Sequence, residues 1–414
     1  MHPRERQVTR RRFVAQSGGA LLGLLGGDAL LRAAAAFGAG PPIGPGGIPL
    51  ARRNYPLTLP LYGDNPPIAS GKSPEKGPLE VFNWSAYINP AVVKDFAKAY
   101  GVQVNVTTFE NEEEALTKLT SGQVHFDVWF ATVEYLSRTV AGKLIQPLNH
   151  AYLPNLKNVW PSLASPFYDR GSRYSVPYTV YTTGITWRKD KLKKGPAAYA
   201  NPYDIFWDAP GSLRGKVAIL DDQREALGLA LLRRHVTDVN TESTQLVQQA
   251  GADLGQLTRS VNVKTNETDY QDVPAGSTWL SQAWSGDMAA AAGYMPKGVP
   301  VSVVGYWRPD TNAAVGSDMV TVLRGAKNPV LAHEFLNYLL GNKVGLKNLS
   351  WLGYMPPLLS VDPAKLVAQG YIPKNLASTV VRQSDFDNGV SLLPLTTQGQ
   401  SLWQDVWSKF KAGG

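Results

Sequence analysis

From residue 79 onward the chain alternates two hydrophobic rhythms. Leu79, Val81 and Phe82 begin an apolar strand pattern, and Asn89 with Pro90 supply the cap and first residue of a helix. Val92, Val93, Phe96, Ala97 and Tyr100 follow at helical spacing, and Gly101 ends the run. Val102, Val104 and Val106 alternate as a second strand. "NEEEALTKLTSG" predicts a second helix, with Asn111 as N-cap, acids in the first turn and Gly122 past the end. "FDVWFAT" predicts a third, buried strand and "VEYLSRTVAGKLI" a third helix.

The rhythm returns later. "GKVAIL" reads as a strand, "QREALGLALLRRH" as a helix, "DMAAAAGY" as helix or strand, and "NPVLAHEFLNYLLG" as a helix opened by Pro329. Near the C-terminus Leu402, Trp403, Val406, Trp407 and Phe410 share one helical face, which must pack. Strands alternating with helices predict a mostly parallel sheet covered on both faces, and in such sheets ligands bind at the carboxyl ends of the strands. Trp84 stands at such an end after strand one, as do Thr132 and Glu134 after strand three. No internal repeat is visible. The 336 residues from 79 to 414 exceed a comfortable single core, which favours two α/β lobes with a cleft between them.

The first 78 residues read differently. A basic stretch (Arg4, Arg6, Arg10 to Arg12) precedes a mild, Gly-rich apolar run and small residues at Ala33 to Ala36, the layout of a secretory signal. Thr9-Arg10-Arg11-Arg12-Phe13-Val14 resembles the twin-arginine consensus, so residues 1–36 are expected to be a Tat-type signal peptide cleaved near Ala36. Leu21 to Leu31 is too short for the ~20 apolar residues of a membrane span, and Asp28 interrupts it. Residues 37–78 are dense in Pro and Gly and show no period, which predicts a flexible linker. No later run approaches spanning length, so the remainder is expected outside the cytoplasmic membrane, in the periplasm or its equivalent.

Charge and cysteine content narrow the function classes. The formal net charge is +8, but residues 1–78 hold 10 Lys/Arg and 4 Asp/Glu, whereas the rest holds 31 and 29. The body is nearly neutral, so its charge gives no argument for nucleic acid or an anionic membrane. Cysteine is absent, which excludes disulfides, thiol catalysis, Cys-ligated zinc and an N-terminal lipidated Cys.

Catalytic signatures are weak. There is no G-x-S-x-G, H-E-x-x-H or Walker loop. His2, His125, His150, His235 and His333 do not pair at metal-ligand spacing. His235 near a helix end fits a dipole role, and His333 with Glu334 is expected to face solvent.

Acids and aromatics at turn positions stand out instead. Asp222 and Glu225 in "AILDDQREALGLAL" mark a strand-to-helix junction, where Asp221 or Asp222 could equally be an N-cap. Asp287 follows Trp284 in "AWSGDMAAA", and Asp318 sits in "VGSDMVTVL" at the mouth of a strand. Trp84, Tyr87, Trp284 and Tyr354 occupy comparable positions. Singly, each reads as a cap or as packing. Together they suggest a box for a cation, since aromatic faces attract an ammonium by ~0.5–2 kcal/mol when desolvated and carboxylates supply charge-assisted hydrogen bonds.

In order and spacing, "FNWSAYINPAVVKDFAKAYGVQV", "FDVWFATVEYL", "YSVPYTVYTTGI", "DDQREALGLAL", "AWSGDMAAAA", "SDMVTVLRGAKNP" with "AHEFLNYLL", and "WLGYMPPL" resemble bacterial polyamine-binding proteins of the spermidine/putrescine type, the extracytoplasmic receptors of ABC importers. The resemblance runs from about residue 79 to the C-terminus. It implies a type II periplasmic-binding-protein fold, with lobe I at 79–182 plus 317–362, lobe II at 183–316 plus 363–414, and hinged closure on the ligand. It also implies a monomer without cofactor or metal, binding a putrescine- or spermidine-like cation and delivering it to a membrane permease, with no chemistry done on the ligand. By motif, Trp84, Ser85 and Tyr87 match an aromatic wall, Thr132 a Ser on the strand-three loop, and Asp222 with Glu225 an acidic pair. Trp284 and Asp287 match Trp-x-Gly-Asp, Asp318 the carboxylate that clamps an amine, and Tyr354 the aromatic before a Pro-containing turn. Two positions depart: Ala86 stands where an acid is usual, and Gly316 where an aromatic often precedes the clamping Asp. Glu134 stands where an aromatic or apolar side chain is common, so a carboxylate moves across the pocket. The same fold with another ligand remains open: an amino-acid derivative, another amine, or a metal held by Asp222, Glu225, Asp287 and Asp318. Arg308 pointing inward would favour an anionic group on the ligand. The other class is an exported hydrolase, which requires a nucleophile and a His in one pocket.

Overall fold

In a computed structural model of the chain, residues 40–122 and 124–413 are described. The expected signal peptide, 1–36, lies outside them. Contacts divide the chain into a leading unit, Met1–Pro42, and a body, Ile43–Gly414.

The body is organised by one mixed sheet. Its strands are β1 (Leu79–Trp84), β2 (Val104–Phe109), β3 (Val128–Ala131), β4 (Ser175–Arg188), β5 (Val217–Leu220), β6 (Lys264–Asn266), β7 (Leu280–Trp284), β8 (Val304–Trp307) and β9 (Ala314–Val322). They run in the order β2-β1-β3-β9-β4-β7-β5-β6, with β8 also paired to β4. The parallel pairing that the alternating pattern predicts occurs at the two ends, β2-β1-β3 and β7-β5-β6. Between them β9 and β4 pair antiparallel with their neighbours and with each other. β4 is 14 residues long, pairing with β9 along one part and with β7 and β8 along the other. It therefore ties two separate parallel sets into one sheet.

The helices form where the sequence places them. α1 (Pro90–Tyr100) is capped by the Asn89 side chain, which accepts from Ala91 N, and ends at Gly101 in the left-handed region, φ 65°. α2 (Glu112–Thr120) is capped by Asn111 and carries three acids in its first turn. α3 (Leu136–Ala141) follows β3, and α4 (Gln223–Arg233) follows β5. α4 is buried from Gln223 to Leu231, because α5 (Thr244–Val261) and the C-terminal helix cover it. α6 (Ser285–Ala289), α7 (Pro329–Leu339), α8 (Asn342–Leu352) and α9 (Thr397–Lys411) complete the main set. Trp403, Val406, Trp407 and Phe410 on α9 are buried, as their shared face requires.

Two hydrophobic cores result. The smaller joins Val217 and Ile219 of β5 to Leu227, Leu231, Leu254, Leu257 and Trp403. The larger surrounds Val81, Phe82, Val128, Phe130 and Val320, and also takes in Ala283, Met288 and Tyr306.

Two expectations need correction. Residues 43–78 are not a free linker: Leu50 and Leu59 are fully buried and Ile48 and Ala51 nearly so. Leu57 N donates to Phe167 O (2.7 Å), Arg170 N to Leu57 O (2.8 Å), Arg173 Nη1 to Leu59 O (2.7 Å) and Tyr174 Oη to Pro60 O (2.6 Å). Farther along, Asn149 Nδ2 donates to Ile68 O and Tyr152 Oη to Ala69 O, while the Glu75 carboxylate accepts from Val330 N and Leu331 N at the start of α7. A strap held by side chains and distant backbone needs no internal period, which is why its composition reads as loose. His333 does not face solvent either. It is fully buried, its Nε2 accepting from Asn149 N (3.0 Å) and its Nδ1 lying 2.6 Å from Pro329 O. Burial lowers its pKa, holding it neutral.

The packed strap makes a quantitative expectation. Leu59→Ala should cost about 2–5 kcal/mol of unfolding free energy by chemical denaturation, whereas a change within about 0.5 kcal/mol would mark the segment as loosely attached.

Candidate functional site

The carboxyl ends of the two parallel sets meet around a single cavity. β1 ends in Trp84, followed by Ser85, Ala86 and Tyr87; β2 is followed by Glu110; β3 is followed by Thr132 and Glu134. From the other set, β5 is followed by Asp222 and Glu225, β6 by Glu267, and β7 ends in Trp284 with Asp287 beyond it. The two long central strands contribute Tyr181 from β4 and Asp318 from β9. Tyr354, just past α8, closes one wall. The space, counting its open mouth, is about 990 Å³.

Three of the cavity's acids are held by hydrogen bonds from their neighbours. Asp318 accepts from Tyr87 Oη at 2.6 Å, and that hydroxyl also lies 2.6 Å from Thr179 Oγ1. Glu225 Oε1 accepts from Trp284 Nε1 and from Thr183 Oγ1, both at 2.9 Å. Asp222 is the N-cap of α4, its Oδ1 accepting from Arg224 N and Glu225 N. It thus caps a helix with one oxygen and still lines the cavity. Asp221 is instead paired outside with Lys411 (2.8 Å).

The aromatic walls are braced edge to face. Tyr87 and Tyr354 have centroids 4.9 Å apart, Tyr181 and Tyr354 6.0 Å, and Tyr181 and Trp284 6.4 Å. Glycines make two of these placements possible. A Cβ on Gly286 would lie 2.1 Å from the Tyr354 ring, and one on Gly316 would lie 2.3 Å from the Tyr181 ring. Gly316 is the cross-strand partner of Tyr181. An aromatic reaching over from β4 therefore covers the position two residues before Asp318.

Seven carboxyls line the cavity: Glu110, Glu134, Asp222, Glu225, Glu267, Asp287 and Asp318. No Lys, Arg or His shares that lining. Burial pushes Glu225 up to about 8, with repulsion from Asp222 adding to it, and Glu267 likewise to about 8. Burial raises Asp287 and Asp318 to about 7, against the Tyr87 hydrogen bond that favours the Asp318 anion. Glu134 and Asp222 are also raised, burial again dominating. Behind Asp287, fully buried Asp269 is pushed well up by burial and by the Asp287 charge. Burial and mutual repulsion therefore favour the protonated form of these carboxyls.

All eleven residues singled out in the sequence (Trp84, Ser85, Tyr87, Thr132, Glu134, Asp222, Glu225, Trp284, Asp287, Asp318 and Tyr354) line this one cavity. Sequence reasoning missed Glu110, Tyr181, Glu267, Tyr270 and Tyr294, which line it too. Glu110 could have been found, because it directly follows a recognisable strand. Glu267 follows the three-residue, polar strand Lys264–Asn266, which has no apolar signal. Arg308 is absent from the lining and is paired with Asp385 at 2.8 Å. Among the described residues, no three His, Asp or Glu side chains are grouped so as to hold a metal ion.

The chain matches the model of the bacterial extracellular solute-binding protein family over residues 91–372. It is 26% identical over 296 residues to "Spermidine/putrescine-binding periplasmic protein 1" of Haemophilus influenzae, covering 69% of this chain and 79% of that protein. It is 26% identical over 291 residues to the "Putrescine/cadaverine-binding protein" of Pseudomonas aeruginosa, covering 69% of this chain and 80% of that protein. Its fold is similar to a solved "Putative spermidine/putrescine ABC transporter" of Listeria monocytogenes, with TM-score 0.68, 24% identity, and coverage of 80% of this chain and 98% of that one. Among the described residues, no helix is long and apolar enough to cross a membrane.

The crowded carboxyls set a pH dependence for the ligand-free protein. In the unfolded chain they lose protons near pH 4, whereas Glu225, Glu267, Asp287 and Asp318 hold theirs to about 7 or 8. Across that window the folded state binds more protons, so stability falls as pH rises. Neutral His333 pulls the other way, one group against four. The melting temperature of the ligand-free protein should therefore drop between pH 5.5 and 8, and a rise over that interval would contradict the assignment.

Proposed function

The chain belongs to the bacterial extracellular solute-binding protein family, and from that premise we propose that it captures a putrescine- or spermidine-class cation outside the cytoplasmic membrane and hands it to the permease of an ABC importer. The observation that carries this reading is the seven-carboxyl cavity with aromatic walls and no cation in its lining. Such a site attracts ammonium groups and repels carboxylates. Aromatic faces between the acids suit the methylenes of an aliphatic chain and the polarised hydrogens of its ammonium ends. The names of the curated relatives, for spermidine, putrescine and cadaverine, support the same ligand class.

In this reading the eleven residues line the ligand's site, and four of their carboxyls take specific roles. Asp318, held by Tyr87, clamps one amine. Glu225, held by Trp284 and Thr183, serves a second amine together with Asp222. Glu134 and Glu110 compensate for the acid missing at Ala86. Residues 79–182 with 317–362 form one lobe, 183–316 with 363–414 the other, and they close by flexing of β4 and β9, the strands that join them. Export through the twin-arginine machinery and action as a monomer complete the proposal.

Calorimetric titration with putrescine, cadaverine, spermidine, agmatine and lysine tests it. The diamines and polyamines should bind and lysine should not, because its carboxylate would enter an all-acid cavity. Asp318→Ala should weaken binding by about 2–5 kcal/mol, as loss of one partner of a buried charge pair does. Unchanged binding would remove Asp318 from the site, and no binding of any amine would end the ligand assignment.

A further inference from the structure

Behind the acidic cavity lies a second one, smaller at about 760 Å³ with its open side counted. The two share Thr132, Glu134, Tyr181, Glu225 and Leu392 as walls, so they adjoin at a pair of carboxyls. Beyond that junction the character changes. The rear walls are Phe167, Tyr203, Leu229, Val239, Phe386 and neighbours, with no further acid.

Arg224 also lines the rear chamber, but its guanidinium is committed elsewhere. Its Nη1 donates to Leu393 O (3.0 Å), its Nη2 to Asn240 Oδ1 (2.7 Å), and it lies 4.6 Å over the Trp403 ring. Its Nε is the one nitrogen of that group without a hydrogen-bond partner, leaving a donor for an acceptor such as a carbonyl oxygen.

Gly228 is the second observation. It sits in the interior of α4, between buried neighbours, and lines the rear chamber but not the acidic cavity. Its backbone is helical and needs no glycine. A Cβ there would meet nothing nearer than Leu392 Cδ2 at 4.0 Å. Helix interiors disfavour glycine relative to alanine, and no packing constraint here forbids a side chain. A buried helix that gives up both propensity and packing at this point keeps the chamber empty.

We propose that the rear chamber is a subsite for a short, uncharged acyl group, and that the ligand is a diamine or polyamine acylated on one nitrogen. The free ammonium end lies among the acids of the front cavity. The amide N–H donates at the Glu134 and Glu225 junction, and the acyl chain fills the space over Gly228. This rests on the amine-binding reading above and specifies its substrate class.

The test is calorimetry on the signal-free protein with putrescine and its N-acetyl, N-propanoyl and N-butanoyl derivatives. Each methylene buried in the chamber should tighten binding on the order of threefold, so the butanoyl compound should bind more tightly than the acetyl one. Gly228→Leu should fill the space, removing that gain while leaving putrescine within about twofold of its original affinity. A melting curve of the ligand-free variant checks its fold, and if it does not fold the wild-type series decides alone. Putrescine binding with no tightening along the series overturns the rear subsite only, as does a gain that survives in Gly228→Leu. Failure of putrescine and of all acyl derivatives overturns both this inference and the amine-binding reading.

Discussion

The structure turns on one electrostatic constraint: carboxyl groups gathered at the ends of strands from both halves, with no positive charge in their lining. Isolated anions in a low-dielectric space are costly, and their mutual repulsion adds to the cost. The folded chain tolerates them by donating hydrogen bonds, from Tyr87 to Asp318 and from Trp284 and Thr183 to Glu225, and by burial that favours the protonated form of several, these two included. A cation entering the cavity relieves both penalties at once. Binding and proton balance are then two aspects of the same free energy.

The sheet explains why such a cluster can be assembled from distant sequence. Parallel strands point their carboxyl ends in one direction, and β4 with β9 bring two parallel sets edge to edge. Residues separated by 200 positions or more, Trp84 and Trp284 among them, therefore line one space. The glycines show how finely the walls are fitted. Gly286 admits the Tyr354 ring, and Gly316 admits the Tyr181 ring from the next strand. The bare backbone at 316 is thus covered by an aromatic from the neighbouring strand.

Much of this was legible in the sequence, for identifiable reasons. Strand-to-helix junctions carry strong local signals in caps, prolines and glycines, so the positions of Trp84, Asp222 and Trp284 could be read directly. What local patterning could not convey was non-local. Tyr181 lies inside a strand, where nothing distinguishes a cavity wall from packing, and Glu267 follows a strand too short and polar to have a period. The strap of residues 43–78 read as loose because its order comes from partners such as Phe167, Arg173 and Tyr174, a hundred residues away. His333 read as exposed because its partner Asn149 is 184 residues away.

Proton exchange on binding addresses the central claim most directly. Putrescine should be titrated at pH 7 in two buffers of different ionisation enthalpy, and the difference in apparent heat gives the protons exchanged. If an ammonium ligand replaces protons on the clustered carboxyls, the protein releases protons to the buffer on binding. Binding with no proton release, or with uptake, would mean that the carboxyls are already ionised without the ligand, and the account would fail.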